Sequence, residues 1–506
     1  MKTTRRTFLK RAGTSAGLLI ATGWSPFSYA ANSKVRLGMI GVGSQNRIHI
    51  EMGLASLAHT FEVAALADCL KPSLAAGVKT LFPTSQPQGT QPPARQDAMT
   101  AFGEDHCYLD HRAMLEKEGD GIDAVVIATP TSLHQQMVLD CLDAGKHVFV
   151  EKTMGHTYDG CREIVRKVHS TGKVLQVGHQ RRYNPEYIHA LEGYRDDRLG
   201  RVTSIEGKWH RYGDWRRPIP MTQDAQGKTQ VYKQDGIGDL QKLVNWRVYS
   251  EYSMGLIGEL CAHHVDCVNW LLGTPPTRVW ATGSVDYWRD DRTTFDNVTV
   301  VYEYELNRRQ TGFIVSSPMS HLNPLDAREL VRPYKCRFTW SGSLQADNVD
   351  ELVSVQGDRA SFALHELAID GSGVGCIYDE AARYKTINNE TGRATTRRTP
   401  PEPAWTGKPR YGPSYTRIDP DPVPFRNELD QGLYNKSAEL RQFEAFAKCI
   451  QDGTKPLANE MCGLMASIAV IAAHESSMQG KTIEIDPALY QFGFETPNAF
   501  EVGTVA

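Results

Sequence analysis

A short apolar run that ends in a glycine turn constrains this chain more than any other feature of its sequence. The run Val35–Ile40 is followed by Gly41-Val42-Gly43-Ser44-Gln45-Asn46 and then by a helix-length interval. In a strand–turn–helix unit, the first glycine permits the tight turn and the second lets backbone amides approach a pyrophosphate. The third position holds Asn46 in place of Gly or Ala, so the fingerprint is imperfect. The pattern predicts a dinucleotide site, with an ordinary glycine turn as the alternative.

A carboxylate at the end of the second predicted strand supports the dinucleotide site. The strand 61–67 ends at Asp68, where a carboxylate can hold the ribose hydroxyls of the cofactor. The same carboxylate would repel a 2′-phosphate, so the sequence favours NAD, although Lys71 keeps NADP as an alternative. The cofactor-binding residues predicted from this region are Gly41, Gly43, Ser44, Gln45, Asn46 and Asp68.

Strands and helices alternate through the first part of the chain. Buried-type strands at 124–130 and 147–150 enclose a helix at about 133–144. This order is typical of an α/β fold with a doubly wound parallel sheet. Beyond about residue 157, alternating patterns such as the one at 297–304 predict a second α/β domain with a largely antiparallel sheet.

These patterns set the expected domain organisation. We expect a nucleotide-binding domain over 34–156, a second α/β domain over 157–485, and a C-terminal tail over 486–506. A segment rich in Pro, Gln, Thr and Ser at 82–95 is typical of a surface insertion. A polar, proline-rich stretch at 389–421 is typical of an extended arm.

The amino terminus carries an export pattern. It contains the twin-arginine run Thr4-Arg5-Arg6-Thr7-Phe8-Leu9-Lys10 and ends in Ser28-Tyr29-Ala30, which suits a signal peptidase. The weakly apolar run between them is shorter than the ~20 residues that span a bilayer. The sequence predicts a Tat signal over residues 1–30, with an uncleaved anchor as the alternative. We therefore expect a periplasmic or other extracytoplasmic protein that has no membrane contact after cleavage.

Composition excludes several classes of function. The 506 residues are 41% apolar and carry 56 Lys and Arg against 59 Asp and Glu, which argues against binding of nucleic acid by bulk charge. The ten cysteines are scattered without a C-x-x-C motif, so they form neither a disulfide framework nor a zinc pattern. One or two isolated disulfide bridges are the alternative. The near-equal numbers of basic and acidic residues suit an enzyme that acts on neutral or polar small molecules.

With Glu151-Lys152 after the strand that ends at Val150, the chain resembles the Gfo/Idh/MocA oxidoreductases, which include glucose–fructose oxidoreductase and inositol dehydrogenase. The matching segments are 35–47, 125–134, 144–154, 177–185 and 258–273. The resemblance implies a Rossmann domain, a second α/β domain whose open sheet faces the cofactor, and assembly into dimers or tetramers.

The resemblance also implies three catalytic residues, Lys152, His263 and Glu259. The family's Glu-Lys-Pro lysine corresponds to Lys152, whose ammonium would hydrogen-bond the reacting oxygen; here Thr153 follows it in place of proline. The family's Asp-x-x-x-His-x-x-Asp pattern assigns the general acid/base role to His263, with Glu259 in place of the first aspartate. The last position, Asp266, binds a substrate hydroxyl or belongs to a structural network.

Residues 259, 263 and 266 share one face of a regular helix, so a metal site is an alternative there. We predict no metal, because the glycine fingerprint and Lys152 favour redox chemistry. His264 projects away from this face and is expected in the core or an interface.

Further pocket residues follow from the matching loops. The predicted cofactor contacts there are Thr129, His134, Glu151, Lys152 and Gln180. The predicted substrate contacts in the matching segments are Arg182, Tyr183, Asn184 and Asp266. Outside them, Trp215 is a predicted substrate contact because the run 214–218 offers an aromatic face beside arginines, which suits sugars; an interface or packing role is the alternative.

The leading hypothesis is an exported NAD(P)-dependent oxidoreductase that acts on a hydroxyl of a sugar, glycoside or polyol. Because little free nicotinamide is expected outside the cytoplasm, the cofactor should stay bound during turnover. The alternative is a redox-neutral, NAD-dependent glycoside hydrolase that works by oxidation, elimination and reduction. A third class is a binding protein that retains an unused cofactor fold.

Overall fold

The computed structural model describes most of the chain from residue 34 onward. The described residues are 34–81, 104–195, 199–224, 226–306, 333–345, 351–357, 360–365, 376–379, 423–424 and 436–501. The predicted Tat signal over 1–30, the insertion at 82–95 and the arm at 389–421 lie outside them, so these three stay predictions.

The first sheet is parallel and has six strands. They are β1 Val35–Ile40, β2 Phe61–Ala67, β3 Cys107–Tyr108, β4 Ala124–Ile127, β5 His147–Val150 and β6 Leu175–Val177. Their order in the sheet is β3-β2-β1-β4-β5-β6, so the direction of winding reverses between β1 and β4. Open α/β sheets bind ligands at the carboxyl edge beside such a reversal. The glycine turn after β1 and the Glu151-Lys152 pair after β5 both lie at that edge.

The second sheet has nine strands and is largely antiparallel. They are β7 Val202–His210, β10 Arg278–Ser284, β11 Asn297–Leu306, β12 Tyr334–Ser343, β13 Glu351–Gly357, β14 Ala360–His365, β15 Cys376–Asp379, β16 Val423–Pro424 and β17 Ile483–Glu484. Their order is β16-β15-β14-β13-β7-β12-β11-β10-β17, and β7 with β12 is the parallel pair among these described strands. A separate hairpin consists of β8 Met221–Gln223 and β9 Thr229–Val231. The predicted fold class is confirmed.

Ten α-helices are described. They are α1 Ser44–Ile48, α2 Lys71–Leu81, α3 His111–Glu118, α4 His134–Asp143, α5 Tyr158–Thr171, α6 Pro185–Arg195, α7 Leu240–Val244, α8 Ala262–Leu272, α9 Ala438–Asp452 and α10 Glu460–Gln479. Polar caps set several of these boundaries. The Asn459 side chain accepts hydrogen bonds from the amides of Met461 and Cys462, which fixes the start of α10 at Glu460.

Helix α10 joins the two sheets. It packs against α5 of the parallel-sheet domain and against β10 and α8 of the second domain. Of the described helices it alone is long and apolar enough to cross a bilayer, and 78% of its apolar window is buried inside the protein. A buried helix of this composition is what a core that spans both sheets requires.

The parallel sheet extends further than expected. Strand β6 belongs to it, so the boundary at residue 156 is too early by one helix and one strand. The sequence patterns predict this helix and strand but assign them to the second domain, because the composition changes after the Lys152 segment. The nine cysteines whose side chains are described are all unpaired thiols; eight are partly or fully buried, and Cys69 is exposed.

Candidate active site

The glycine turn has the backbone geometry that a dinucleotide requires. Gly41 has φ of +77°, and a Cβ there would come within 2.6 Å of Thr129 Cγ2 and 2.7 Å of the Ala128 carbonyl oxygen. A Cβ on Gly43 would meet no heavy atom of the described chain within 4 Å. The first glycine is therefore needed for the turn, and the second faces open space that a phosphate can enter.

Asn46 explains how the turn works without a third glycine. Its side chain is fully buried, and Nδ2 donates to the carbonyl oxygens of Ile40 and Gly41, both at 3.0 Å. The Asn46 amide thus stabilises the backbone of the turn from the protein interior, and it is not directed at the cofactor side. Its predicted role in the cofactor site is therefore indirect.

Asp68 lies beside the same turn. Its Oδ2 accepts from the Val42 amide at 2.8 Å, and its Oδ1 accepts from the Leu70 amide at 2.9 Å. A partly exposed carboxylate in this place fits the ribose of a bound dinucleotide. The turn, the open space at Gly43 and Asp68 together fit NAD, with the pyrophosphate over residues 43–44 and the ribose at Asp68.

Glu151 ties the helix after the turn to the Lys152 segment. Its Oε1 lies 2.8 Å from His49 Nε2 and accepts from Gln45 Nε2 at 3.3 Å, while Oε2 accepts from the Lys152 amide at 3.1 Å. Burial alone would raise the pKa of Glu151, but the bond to His49 and the charge of Lys152 outweigh it and lower the pKa. Glu151 is therefore an anion that fixes this segment, and Gln45 is turned toward it.

Lys152 reaches across to the second domain. Its Nζ donates to the main-chain carbonyl of Glu259 at 3.1 Å, and the peptide bond between Lys152 and Thr153 is cis. The ammonium is partly exposed, as a group that meets substrate must be. The contact brings Lys152 to the segment that carries His263.

His134 lies behind this segment. It is fully buried, with Nδ1 2.8 Å from the Thr153 carbonyl and Nε2 3.0 Å from the Thr129 carbonyl. Both ring nitrogens are engaged by the protein, so the ring supports the loops after β4 and β5 and does not reach a cofactor. Thr129 is half-buried, and its hydroxyl donates a hydrogen bond to the sulfur of Met137.

The helix that carries the second catalytic residue begins with a π-helical turn. This turn spans Ile257–Cys261, and α8 follows directly. The expected regular α-helix is therefore wrong at Glu259, because a π turn widens the spacing and shifts the faces. Glu259 uses its extra methylene to reach Arg247, whose Nε donates to Oε2 at 2.9 Å.

Glu259 is ionised in this setting. Burial raises its pKa, but the positive charges of Lys152 and Arg247 outweigh burial and lower the pKa below its ordinary value. The carboxylate thus lies between two cations. Its role is to fix them, and proton transfer falls to His263.

His263 is a neutral imidazole at the edge of the cleft. It is 8% exposed, and its ring centroid lies 5.7 Å from that of Trp209. Burial lowers the pKa of His263 well below its ordinary value, and the charges of Arg181 and Lys152 lower it further. A neutral ring beside an ammonium is a base that can accept the proton of a substrate hydroxyl.

We expect oxidation of substrate to resist acid. Because the pKa of His263 is lowered, the ring stays neutral as pH falls through 6.5, where a free imidazole is half protonated. The rate of single-turnover oxidation, followed by absorbance of reduced nicotinamide, should stay flat from pH 8 to below 6.5 and fall only in more acidic buffer. His263→Gln should be about 10²-fold slower or more and lose this acid limb. A wild-type limb centred at or above pH 6.5 would contradict the assignment.

Arg182 and Asp266 bury their charges against each other. Arg182 Nη2 donates to Asp266 Oδ1 at 2.7 Å, Nε donates to Oδ2 at 2.8 Å, and both side chains are about 1% exposed. Arg182 Nη1 donates to the carbonyl of Ala499 at 2.8 Å. The pair therefore does not face substrate, and the structural alternative for Asp266 is the one that the geometry favours. The metal alternative also weakens, because Glu259 and Asp266 are each held by an arginine.

The other predicted substrate residues are spread more widely. Tyr183 is buried, and its hydroxyl accepts from the Ala458 amide; the Asn184 side chain accepts from the Glu186 amide and caps α6. Trp215 is half-buried against the core, in a loop after β7. Gln180 is half-buried at the start of the turn Gln180–Tyr183. Of these, Gln180, Asn184 and Trp215 are partly exposed, and the Asn184 side chain is already engaged by the Glu186 amide.

The structure adds residues that the sequence did not single out. Those nearest the predicted chemistry are His49, Arg181, Trp209 and Arg247. His264, which was expected in the core or an interface, is buried, and its Nδ1 accepts from Trp340 Nε1 at 2.9 Å. Arg181 lies inside a matching segment and could have been found there. Arg247 comes twelve residues before Glu259 and has no local signature.

Models of two domains from oxidoreductases match most of the chain. The family model described as "Oxidoreductase family, NAD-binding Rossmann fold" matches residues 35–179, and the one described as "Oxidoreductase family, C-terminal alpha/beta domain" matches residues 195–485. The scyllo-inositol 2-dehydrogenase (NAD(+)) of Bacillus subtilis is 37% identical over 90 residues, 18% of this chain and 26% of that protein. A glycosyl hydrolase family 109 protein of Shewanella sp. is 27% identical over 274 residues, 48% of this chain and 55% of that protein.

Among solved structures, the aldose-aldose oxidoreductase from Caulobacter crescentus complexed with glycerol superposes with a TM-score of 0.56 at 15% identity, over 89% of this chain and all of that one. The chain thus spans between about a quarter and about half of the length of these curated relatives, and the whole fold of that structure. The two family models match consecutive parts of the chain. The first match contains the parallel sheet with Lys152, and the second contains the second sheet and His263. The chain belongs to the Gfo/Idh/MocA oxidoreductase family.

Proposed function

We propose that this chain is a Tat-exported, NAD-dependent oxidoreductase that acts on a hydroxyl of a sugar, glycoside or polyol and retains its cofactor. One observation carries the proposal: Lys152 of the nucleotide-binding domain donates to the carbonyl of Glu259, one turn before His263. An ammonium and a neutral imidazole thus meet at the carboxyl edge of the sheet that holds the glycine turn. The relatives that act on inositol support a polyol-type substrate.

The residues divide the work of oxidation between them. When bound, NAD supplies the acceptor for hydride from the substrate carbon. His263 takes the hydroxyl proton, and Lys152 hydrogen-bonds the same oxygen, which favours its negative charge as the carbonyl forms. Glu259 holds Lys152 and Arg247 in place by charge. The reverse reaction returns the proton from His263 to the carbonyl oxygen.

A bridge between the domains supports retention of the cofactor. The chain leaves the second sheet after β7, forms the β8–β9 hairpin, and returns to the site at Arg247. Near the end of this excursion, Gln234 Nε2 donates to the Cys69 carbonyl at 2.6 Å, and its Oε1 accepts from the Lys71 amide at 3.2 Å. Cys69 and Lys71 directly follow Asp68. The excursion thus runs between the two ends of the expected dinucleotide, from the ribose at Asp68 to Lys152.

Gln234→Ala should loosen the cofactor. The change removes two hydrogen bonds that hold the excursion to the nucleotide-binding domain, so NAD should dissociate about 10-fold faster. Nicotinamide retained through gel filtration and its loss on dilution are the measurements. Gln226→Ala, in the β8–β9 hairpin of the same excursion, is the matched control and should behave like wild type. Equal retention in both variants would show that the bridge does not hold the cofactor.

Export and assembly remain parts of this proposal. The twin-arginine segment supports a periplasmic location, since Tat carries folded proteins that can take a bound cofactor with them. Assembly into dimers or tetramers is supported by Trp280, which is 42% exposed on the outer face of β10. Fractionation of cells and light scattering of the purified chain test these two points.

A redox-neutral glycoside hydrolase is the second candidate. The family 109 glycosyl hydrolases match over 274 residues, a longer stretch than the 90 residues matched by the inositol dehydrogenase. In this reaction the same His263 and Lys152 would serve a transient oxidation before the aglycone leaves.

One experiment tests the proposed function and separates the two candidates. The purified chain is examined by mass spectrometry and absorbance for bound nicotinamide, and then given sugars and glycosides without added acceptor. Reduction of the bound cofactor with a keto product supports the oxidoreductase. Release of free sugar with no net reduction supports the hydrolase. A chain that holds no nicotinamide and converts no sugar would contradict both.

A further inference from the structure

Arg247 is a cation of the site that the catalytic scheme leaves partly unused. It lies in the short turn Trp246–Val248, with its guanidinium carbon 4.3 Å from the centre of the Trp246 ring. Its Nε donates to Glu259 Oε2, and 27% of the side chain is exposed, against 10% for Glu259. The accessible part of this ion pair is therefore the arginine.

The terminal nitrogens of Arg247 are available to a ligand. Within the described part of the chain, neither Nη1 nor Nη2 donates a hydrogen bond to a protein group. The contact through Nε and the stacking on Trp246 fix the plane of the guanidinium. A fixed plane with two accessible donors suits a planar, two-oxygen acceptor.

Arg247 is linked to Lys152 through Glu259. Glu259 accepts from Arg247 with its side chain and from Lys152 Nζ with its main-chain carbonyl. The two cations thus flank a single residue. A group bound by Arg247 would belong to the same molecule whose hydroxyl meets Lys152.

The charge balance of the cleft favours an anion. His263 is neutral, and Arg182 and Asp266 cancel each other in the core. Among the described residues, the charges that act on His263, Glu259 and Glu151 are the cations Lys152, Arg181 and Arg247 and the anions Glu151 and Glu259. Glu151 is further engaged by His49 at 2.8 Å. Three cations thus face two anions in this set.

We propose that Arg247 binds a carboxylate of the substrate, so that the enzyme prefers acidic sugars, such as uronates, over their neutral counterparts. The inference rests on the proposed function and narrows its substrate class. The carboxylate would accept from Nη1 and Nη2 together, while the reacting hydroxyl lies at Lys152 and His263. Neutral sugars lack this acceptor and leave the guanidinium without a partner.

The test compares acidic and neutral sugars of the same ring. The probes are D-glucuronate against D-glucose and D-galacturonate against D-galactose, with single-turnover reduction of bound NAD as the readout. Wild type should favour the acid of at least one pair. Arg247→Met should lower the acid-to-neutral ratio of kcat/KM by about 10- to 100-fold, the loss expected for a hydrogen bond between charged partners.

Two further variants separate binding from structure. Arg247→Lys keeps the positive charge but lacks the two parallel guanidinium donors. Its acid-to-neutral ratio of kcat/KM should therefore lie between those of wild type and Arg247→Met. Arg278→Met is the matched control, because Arg278 forms an exposed ion pair with Glu484 at 2.6 Å on the second sheet; it should keep the wild-type ratio. Stabilisation of wild type against heat by galacturonate, absent in Arg247→Met, gives a readout independent of turnover.

The outcomes distinguish this inference from the proposed function. A wild-type enzyme that oxidises neutral sugars at least as well as both acids would overturn the inference alone. An unchanged ratio in a folded Arg247→Met protein would do the same. A protein that reduces its cofactor with no sugar would contradict the proposed function, and the inference with it.

Discussion

Lys152→Met should slow single-turnover oxidation of sugar by about 10²- to 10³-fold, the cost of removing one donor to a developing oxyanion. Methionine keeps the length of the side chain but cannot donate to the substrate oxygen or to the Glu259 carbonyl, the present partner of Nζ at 3.1 Å. The loss should appear in kcat more than in KM, since the negative charge on oxygen is larger in the transition state. Stopped-flow absorbance of reduced nicotinamide measures it.

Lys167→Met is the control for this change. Lys167 pairs with Asp143 at 2.6 Å on α5, away from the glycine turn, and its loss should leave oxidation unchanged. Retained turnover in Lys152→Met would mean that the ammonium does not meet the reacting oxygen. Wild-type-like function in Lys152→Ala combined with His263→Ala would support the third class, a binding protein with an unused cofactor fold.

Asp266→Asn should lower the free energy of unfolding by about 3–5 kcal/mol, because it leaves the buried guanidinium of Arg182 without a counter-charge. Both charged groups are about 1% exposed, so water cannot replace the lost partner. Urea unfolding followed by tryptophan fluorescence measures the change. Glu444→Gln breaks an ion pair with Lys436 in which both side chains are at least 35% exposed, and should cost under about 1 kcal/mol.

The double variant Arg182→Met with Asp266→Leu sharpens this prediction. Removing both charges eliminates the unpaired group, so much of the lost stability should return. A substrate role for Asp266 gives the opposite pattern: Asp266→Asn would keep its stability and raise KM. An unchanged urea midpoint in Asp266→Asn would therefore contradict the structural role.

The sequence predicted the frame of the fold because apolar periodicity is local. Strands β1, β2 and β5 have the expected bounds, since each is a short buried run closed by a turn. The number of strands in the parallel sheet was harder to predict from the sequence. Strand β6 has three residues, and its place beside β5 depends on tertiary packing. Local patterns carry no record of which strands become neighbours.

The candidate site was predictable where chemistry follows a motif. The glycine turn, Asp68, Lys152 and His263 lie at the carboxyl edge of the parallel sheet or are brought to it by the Lys152–Glu259 contact. The π turn was not predictable, because the residues of Ile257–Cys261 also suit a regular helix. Its effect is to separate Glu259 from the face that it would share with His263.

The substrate contacts were predicted less well, because exposure cannot be read from residue type. Arg182 looks like a ligand-binding residue in sequence, yet its partners lie 84 and 317 residues further along the chain. Arg247 has no motif, and only the folded chain brings it to Glu259. Pairing between distant charges decides which polar side chains stay available, and it is a property of the whole fold.

The hydrogen bond from Arg182 to Ala499 has a consequence for biosynthesis. The ribosome delivers this carbonyl 317 residues after the guanidinium, and the Trp270 indole likewise awaits the carbonyl of Glu501, 231 residues later. Most of the second domain is translated before these last acceptors emerge. A chain that ends before residue 499 would leave one guanidinium N–H of Arg182 without its acceptor, although Asp266 still pairs its charge. Polypeptides truncated before residue 499 should therefore be less stable and more readily recognised by chaperones and proteases.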